Sequence, residues 1–404
     1  MKIAIITTDS RENKKLYSDR TLPLSPAVSA LVEGLRDLTG HEFHIVACSR
    51  ESLPPYERLG RNIEFHSVRV GAWGWGRTFF LGCVMAIKRE LRQIGPDLVH
   101  GQGTERECAL ASALSGFPSI ITMHGNMDAL ARRLGVRIGS RLWRAARLEA
   151  FALRRAHGVI CNSRYTMERV ACYSHRTWLV PNALRLPFFD PLPIRTRHTE
   201  KPTRLLVVGE IAEWKNQALI LEAAQQLFDE SYPLEWVFVG NPRRGSPYAS
   251  RFLAKLQELS RAGMPVSHLV PMSCEEIVRL MDSSDALVHM PMEEAFGLVV
   301  PEAVSRGLQV FCAPTGGLAD IAEGVGAIRL IDSVTPMGVC AGVMDWVRDG
   351  KPAADEASIT TMRSRYHPGE VADMHDQIYR STEGVGHRAH RPSWTGRPSP
   401  NFPE

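Results

Sequence analysis

Apolar residues along this chain come in short β-branched runs separated by stretches with helical spacing. The predicted strands of its first part are KIAIIT (2–7), HEFHIVAC (41–48), IEFHSVRV (63–70), DLVH (97–100), SIITM (119–123), GVICN (158–162) and TWLV (177–180). Between them lie helix-length segments such as SPAVSALVEGLRDL and RTFFLGCVMAIKREL. Nearly continuous apolar strands alternating with helices predict parallel sheets covered on both faces.

The alternation stops at PNALRLPFFDPLPIRTRHTEKP (181–202), which has five prolines and no periodicity and reads as an interdomain linker. It then restarts with RLLVV (204–208), LEWVFV (234–239), VSHLV (266–270), ALVHM (286–290), QVFCA (309–313) and AIRLI (327–331). The fold class expected is α/β, with two Rossmann-like, doubly wound parallel-sheet domains facing across a cleft. A ligand belongs in that cleft, at the carboxyl ends of the strands. The expected division is an acceptor-side domain over 1–185, a linker over 186–202, a donor-side domain over 203–380 and a disordered tail over 381–404. The last helix of the second domain is expected to pack back on the first.

Composition changes this picture little: 404 residues, 44% hydrophobic and 23% charged, suit a globular chain with more than one core. No run of ~18 apolar residues occurs, and MKIAIITTDS reads as a first strand and not as a signal peptide. The eight cysteines form no CxxC pair and sit mostly in apolar contexts, as reduced thiols of a cytoplasmic protein would. Charge adds more. Residues 1–190 hold 27 Lys+Arg against 17 Asp+Glu, and the remainder holds 21 against 27. A basic half and an acidic half suggest domains with different partners, the basic one facing an anionic surface or a phosphorylated acceptor. Nothing points to a nucleic-acid partner.

Candidate chemistry centres on EEAFGLVVPEAVSRG (293–307), where Glu294 and Glu302 flank a short apolar run. ALVHM ends at Met290, so Glu294 lies in the loop at the carboxyl end of a strand. Pro301 fits a first helical turn and places Glu302 in it. Gly297 lets the backbone approach a ligand, and the amides of Phe296, Gly297 and Leu298 could cradle an anion. An acid in a first turn also simply complements the helix dipole.

This segment resembles the E-x7-E motif of retaining GT-B glycosyltransferases, specifically glycosyltransferase family 4. The similarity runs from CEEIVRLMDSSDALVHMPMEEAFGLVVPEAVSRGLQVFCAPTGGLADI (274–320) to GHEFHIV (40–46), DLVHGQG (97–103), His124-Gly125, VICNS (159–163), VPNA (180–183) and VVGEIAEWKN (207–216). The resemblance implies that Glu302 binds the ribose hydroxyls of a nucleotide, a charge-assisted recognition of a vicinal diol. It implies that Glu294 holds hydroxyls of the donor sugar and that 296–298, with Gly209, contact sugar and diphosphate. Lys215 would neutralise the diphosphate as charge builds on it, and His124 would lie near the donor sugar.

Two departures stand out. Where relatives carry an arginine after the glycine equivalent to Gly209, this chain has Glu210. Either Glu210 points away and another cation substitutes, with Arg243 and Arg244 the candidates and Arg106 a more distant one, or the donor site is weakened. Relatives also carry a Gly-Gly loop after the first strand, whereas this chain has the basic TTDSRENKKLYSDRTLPLSPAV, expected to fold over the cleft or to shape acceptor choice.

No Asp-x-Asp and no GxxxxGK[ST] occur, so a divalent cation and a P-loop are not expected, and no cofactor is expected beyond a nucleotide-diphospho sugar as donor substrate. GAWGWGRTFFLG (71–82) reads as a flexible aromatic loop. Residues 131–158 carry eight arginines and one acid. On one continuous helix, Arg133, Arg137, Arg141, Arg144, Arg147, Arg154 and Arg155 fall within roughly 140°. That stripe, over 132–155, suits an anionic membrane surface or a lipid-diphosphate acceptor. The function expected is retaining, metal-independent transfer of a sugar to a saccharide or lipid-linked acceptor hydroxyl, in polysaccharide or glycolipid synthesis, in the cytoplasm or at the inner face of the membrane. The rivals are a catalytically impaired nucleotide-sugar-binding protein and an epimerase or phosphorylase on the same fold.

Overall fold

The computed structural model describes residues 1–15, 17–18, 24–54, 59–193, 202–270 and 273–383. Every strand that the apolar pattern predicts is present, within two residues at either end. They are β1 (Lys2–Thr8), β2 (Glu42–Ser49), β3 (Ile63–Arg69), β4 (Leu98–Gln102), β5 (Ser119–Met123), β6 (Gly158–Cys161), β7 (Thr177–Leu179), β8 (Thr203–Val208), β9 (Leu234–Val239), β10 (Val266–Leu269), β11 (Ala286–His289), β12 (Gln309–Cys312) and β13 (Ile328–Leu330). The first seven form one sheet in the order β3-β2-β1-β4-β5-β6-β7, and the last six form a second in the order β10-β9-β8-β11-β12-β13. All the strand pairs are parallel. The fold is therefore α/β with two Rossmann-like sheets.

Alternation along each strand decides which core a residue enters. On β1, Ile3 and Ile5 pack to one face while Ala4 and Ile6 pack to the other. On β8, Leu205 and Val207 are divided from Leu206 in the same way. Each fully buried Leu or Ile contributes about 1.5–3 kcal/mol, and both faces of both sheets are filled.

Connectivity reverses direction between β1 and β4 in the first sheet and between β8 and β11 in the second. In doubly wound sheets the crevice at such a reversal, outside the carboxyl ends, is where ligands bind. Here residues from the ends of all four strands, including Thr8, Gln102, Val208 and His289, line a single cleft of about 570 Å³.

The segment expected to be a linker is only partly one. Leu184 and Phe188 are buried in the second core, and residues Leu186–Phe189 form a 3-10 turn. Residues 194–201 lie outside the described residues, as does 384–404 of the expected disordered tail. The helix Pro368–Ser381 lies against the helix Pro26–Leu35 of the first half. A Cβ at Gly34 would sit 2.1 Å from the Pro368 carbonyl oxygen, so only glycine allows that approach. The Tyr379 hydroxyl meets His100 Nδ1 at 2.9 Å, and His41 Nε2 meets Asp376 at 2.5 Å.

The arginine-rich segment departs from expectation. It is two helices, Met127–Arg133 and Arg141–Leu153, separated by a turn in which Gly135 and Gly139 have positive φ. No single stripe can run through such a break, so the 140° arc over 132–155 does not exist. Several of its arginines stack on rings instead: Arg147 over Trp143, Arg154 over Tyr173 and Arg155 over Phe151. Among the described residues no helix is long and apolar enough to cross a membrane.

Candidate functional site

The loop after β11 is held by both halves of the molecule. Gly317 donates its amide to the Glu294 carbonyl at 3.0 Å. From the first half, Ser163 Oγ donates to the Ala295 carbonyl at 2.7 Å and the Tyr165 hydroxyl donates to Glu293 at 2.8 Å. Gly297 has φ +91°, and a Cβ there would lie 2.4 Å from Leu318 Cδ2, so this turn cannot carry a side chain. Phe296, which lines the cleft, packs its buried ring against Tyr366.

Within this frame Lys215 Nζ donates to Glu294 Oε2 at 2.5 Å, and His289 Nε2 lies 3.1 Å from the same oxygen. Burial pushes the Glu294 carboxyl up, but Lys215 and His289 outweigh it and hold it down at about 2. It is a carboxylate at any working pH. Burial, with Lys215 close by, keeps the His289 imidazole below its ordinary range despite the pull of Glu294.

Glu302 is different. It lies in the first turn of the helix Val299–Ser305, and among the described residues no group donates a hydrogen bond to its carboxylate. Burial pushes it up to about 7, against the pull of Arg185. A carboxylate at the edge of the cleft without a donor is short of two hydrogen bonds, which a vicinal diol supplies.

On the facing wall His124 Nε2 meets Gln102 Oε1 at 2.8 Å, and burial keeps the imidazole neutral, down at about 4. His124, Gly209, Lys215, Glu294, Phe296, Gly297, Leu298 and Glu302 thus share one cleft. Arg243 and Arg244 are not among its lining residues. Arg243 pairs with Glu210 at 3.5 Å and stacks over Trp214, and Arg244 is exposed. The acid that stands where a cation was expected is therefore matched by an arginine from the next loop. The pair is half exposed, and such pairs are worth about 0–1 kcal/mol. Glu210→Ala is expected to change nucleotide affinity by less than about 5-fold, measured by isothermal titration.

Two residues of the cleft, His289 and Glu105, are not among those the sequence singled out. His289 is the one polar residue at the carboxyl end of an otherwise apolar strand, which is the signal that could have found it. Glu105, after β4, lines this cleft and also a second, larger cavity, and burial pushes its carboxyl up.

That second cavity, about 1220 Å³, adjoins the cleft through Glu105 and Arg106. The loop expected to be flexible is its wall: Trp75 is buried and its Nε1 donates to the Val70 carbonyl at 3.1 Å, which fixes the turns on either side. Trp73 and Phe79 stay exposed beside it. From the loop after β1, Glu12 and Lys15 line this cavity, while residues 16 and 19–23 lie outside the described residues. Among the described residues seven cationic side chains line it, including Lys15, Arg50, Arg106, Arg141 and Arg144, against two acids.

Comparison with known proteins gives a consistent result. A family model described as Glycosyltransferase Family 4 matches residues 27–186, and one described as Glycosyl transferases group 1 matches 190–357. A curated relative, the D-inositol 3-phosphate glycosyltransferase of Corynebacterium urealyticum (strain ATCC 43042 / DSM 7109), is 26% identical over 178 residues, 43% of this chain. That match spans only 42% of the relative's length. Among solved structures, a sucrose-phosphate synthase from Thermosynechococcus elongatus has a TM-score of 0.74 at 17% identity, over 96% of this chain and 100% of the other. Anabaena HepE in complex with UDP and glucose has a TM-score of 0.70 at 16% identity, over 94% and 100%.

Proposed function

Because the chain belongs to the GT-B glycosyltransferases of family 4 and group 1, we propose that it transfers a sugar from a nucleotide-diphospho donor to an acceptor hydroxyl with retention of configuration. The observation that carries this reading is the unpartnered Glu302 carboxylate beside the Lys215–Glu294–His289 cluster, at the reversal point of the second sheet. Glu302 accepts the ribose hydroxyls. Lys215 meets the charge that grows on the diphosphate as the sugar bond breaks. Glu294 orients the sugar, and neutral His124 donates to or accepts from it across the cleft. The departing phosphate oxygen takes the acceptor's proton on the same face, so no protein carboxylate becomes a covalent nucleophile, and the diphosphate's charge is met by Lys215 and main-chain amides without a divalent cation. A thermal-shift panel of nucleotide sugars tests the donor. One of them should raise the melting temperature in proportion to its occupancy, and no response to any would overturn the reading.

The acceptor fits the second cavity. Its arginines suit a phosphate or diphosphate, and Trp73, Phe79 and Leu142 suit an apolar chain leaving past Ile138, which is 85% exposed between two lining residues. The acceptor is therefore an amphiphilic phosphate of the kind that carries growing polysaccharide or glycolipid, reached at the cytoplasmic face of an anionic membrane. Dodecyl phosphate below its micelle concentration should quench tryptophan fluorescence at least about 10-fold more tightly than inorganic phosphate or dodecyl maltoside, and Arg144→Glu should remove that preference. Equal binding of all three probes would exclude this acceptor class and leave the donor assignment standing.

A further inference from the structure

Glu-Phe-His occurs twice, at 42–44 and 64–66, on the adjacent parallel strands β2 and β3, with His44 opposite Glu64. Residues two apart share a face of a strand, so Glu42, His44, Glu64 and His66 project together. Glu90 of the helix Leu81–Ile94 reaches in from above. None of the five lines the cleft or the large cavity.

Their hydrogen bonds leave a conflict. His44 Nε2 lies 2.8 Å from Glu42 Oε1, and His66 Nδ1 lies 2.9 Å from Glu90 Oε1. Carboxylates only accept, so each of those ring nitrogens carries its ring's proton. In a neutral imidazole the other nitrogen is then a bare lone pair. Yet His44 Nδ1 and His66 Nε2 face each other at 2.9 Å, with Glu64 Oε2 at 3.6 Å from the first and 3.8 Å from the second. Three acceptors this close call for a positive charge among them, either a proton on one ring or a metal ion.

The geometry also fits a particular kind of cation. The point equidistant from the corners of a triangle with sides 2.9, 3.6 and 3.8 Å lies about 2.0 Å from each, against about 2.0–2.2 Å for zinc bonded to imidazole nitrogen or carboxylate oxygen. Bonds of ~2.1 Å lift the ion about 0.6 Å out of the ligand plane, close to a tetrahedron with one open corner. The remote nitrogens already sit on carboxylates, the arrangement that fixes tautomer and raises ligand basicity in zinc sites.

We propose that His44, Glu64 and His66 bind a divalent transition metal ion, Zn²⁺ fitting best, with the fourth position open to water. Such an ion ties the edge strand β3 to β2 and, through Glu90, to the helix that follows the aromatic wall of the large cavity. Its role is structural and separate from the proposed sugar transfer.

Chelator-dialysed full-length protein titrated with ZnCl₂ at pH 7.5 should take up one ion per chain with a rise in melting temperature, while MgCl₂ does neither. Co²⁺ should give the visible absorption of a tetrahedral site. Exposed Glu64, as Glu64→Gln, should lower Zn²⁺ affinity about 10-fold or more without loss of fold, and His66→Gln should abolish binding. Absence of stoichiometric uptake would mean that a proton, making one ring an imidazolium, fills the gap, and would overturn the proposal. Undiminished uptake by both variants would do the same.

Discussion

Replacing Glu302 with glutamine is expected to make the unliganded protein more stable at pH 8 and to weaken nucleotide binding in the same preparation. The carboxyl has an ordinary value of 4.5 in the unfolded chain and about 7 when folded. Between those values the folded state holds a proton that the unfolded state has lost. The stabilisation is therefore complete below pH 4.5 and disappears as pH rises through 7. At ~1.4 kcal/mol per pH unit, ionising this buried group costs about 3 kcal/mol at pH 8. Glutamine removes that cost, so melting should rise by roughly 5–10 °C at pH 8 and hardly at all at pH 4.5. Binding moves the other way. A neutral amide replaces a carboxylate that accepts two hydroxyl hydrogen bonds, and hydrogen bonds to a charged group contribute about 1.5–3 kcal/mol each. The expected loss of nucleoside-diphosphate affinity is at least about 10²-fold. In the unsubstituted protein, binding at pH 6.5 should release about three-quarters of a proton, measured by calorimetry in buffers of different ionisation enthalpy. Unchanged stability at pH 8 together with unchanged affinity would remove Glu302 from the site.

The acidic pair shows what could be read from the chain and what could not. Both strand sets follow from apolar runs, because a strand buried on two faces leaves few polar choices, and all thirteen are where the pattern puts them. That Glu294, 296–298 and Glu302 line one cleft was legible because Pro301 and Gly297 mark a helix start at a strand's carboxyl end, and a motif surrounds them. Pairings across long sequence separations were not. Nothing local in Lys215 indicates that its charge rests on Glu294, 79 residues away, or that Arg243 answers Glu210. The arginine segment misled for a physical reason. A helical arc assumes an unbroken helix, and two glycines four residues apart in left-handed conformation end one helix before the next begins. The larger cavity is assembled from at least seven separate stretches of the described chain, and the aromatic one, which reads as a loose loop, is anchored by Trp75.

Lys215 and Glu294 should respond to substitution in opposite directions when product binding is measured, although both substitutions abolish most turnover. In the unliganded cleft Lys215 is committed to Glu294 at 2.5 Å. An incoming diphosphate has to share that ammonium group with a carboxylate which is ionised at every accessible pH, being held at about 2. Glu294→Gln releases the lysine while keeping the shape of the side chain, so nucleoside-diphosphate affinity should rise by several-fold to about 10-fold. The sugar loses its charged anchor, and turnover should fall by about 10²-fold or more. Lys215→Met removes the cation and leaves the Glu294 carboxylate facing the diphosphate, so affinity should fall instead. Turnover should drop by about 10²–10³-fold, as expected when a charge that stabilises a leaving group is withdrawn. Equilibrium binding of nucleoside diphosphate and single-turnover donor cleavage separate the two effects. If both variants bind product as tightly as the parent, the ion pair stands apart from the diphosphate, and the leaving-group charge must be met by another cation at the cleft, with Arg106 on the facing wall the first to test.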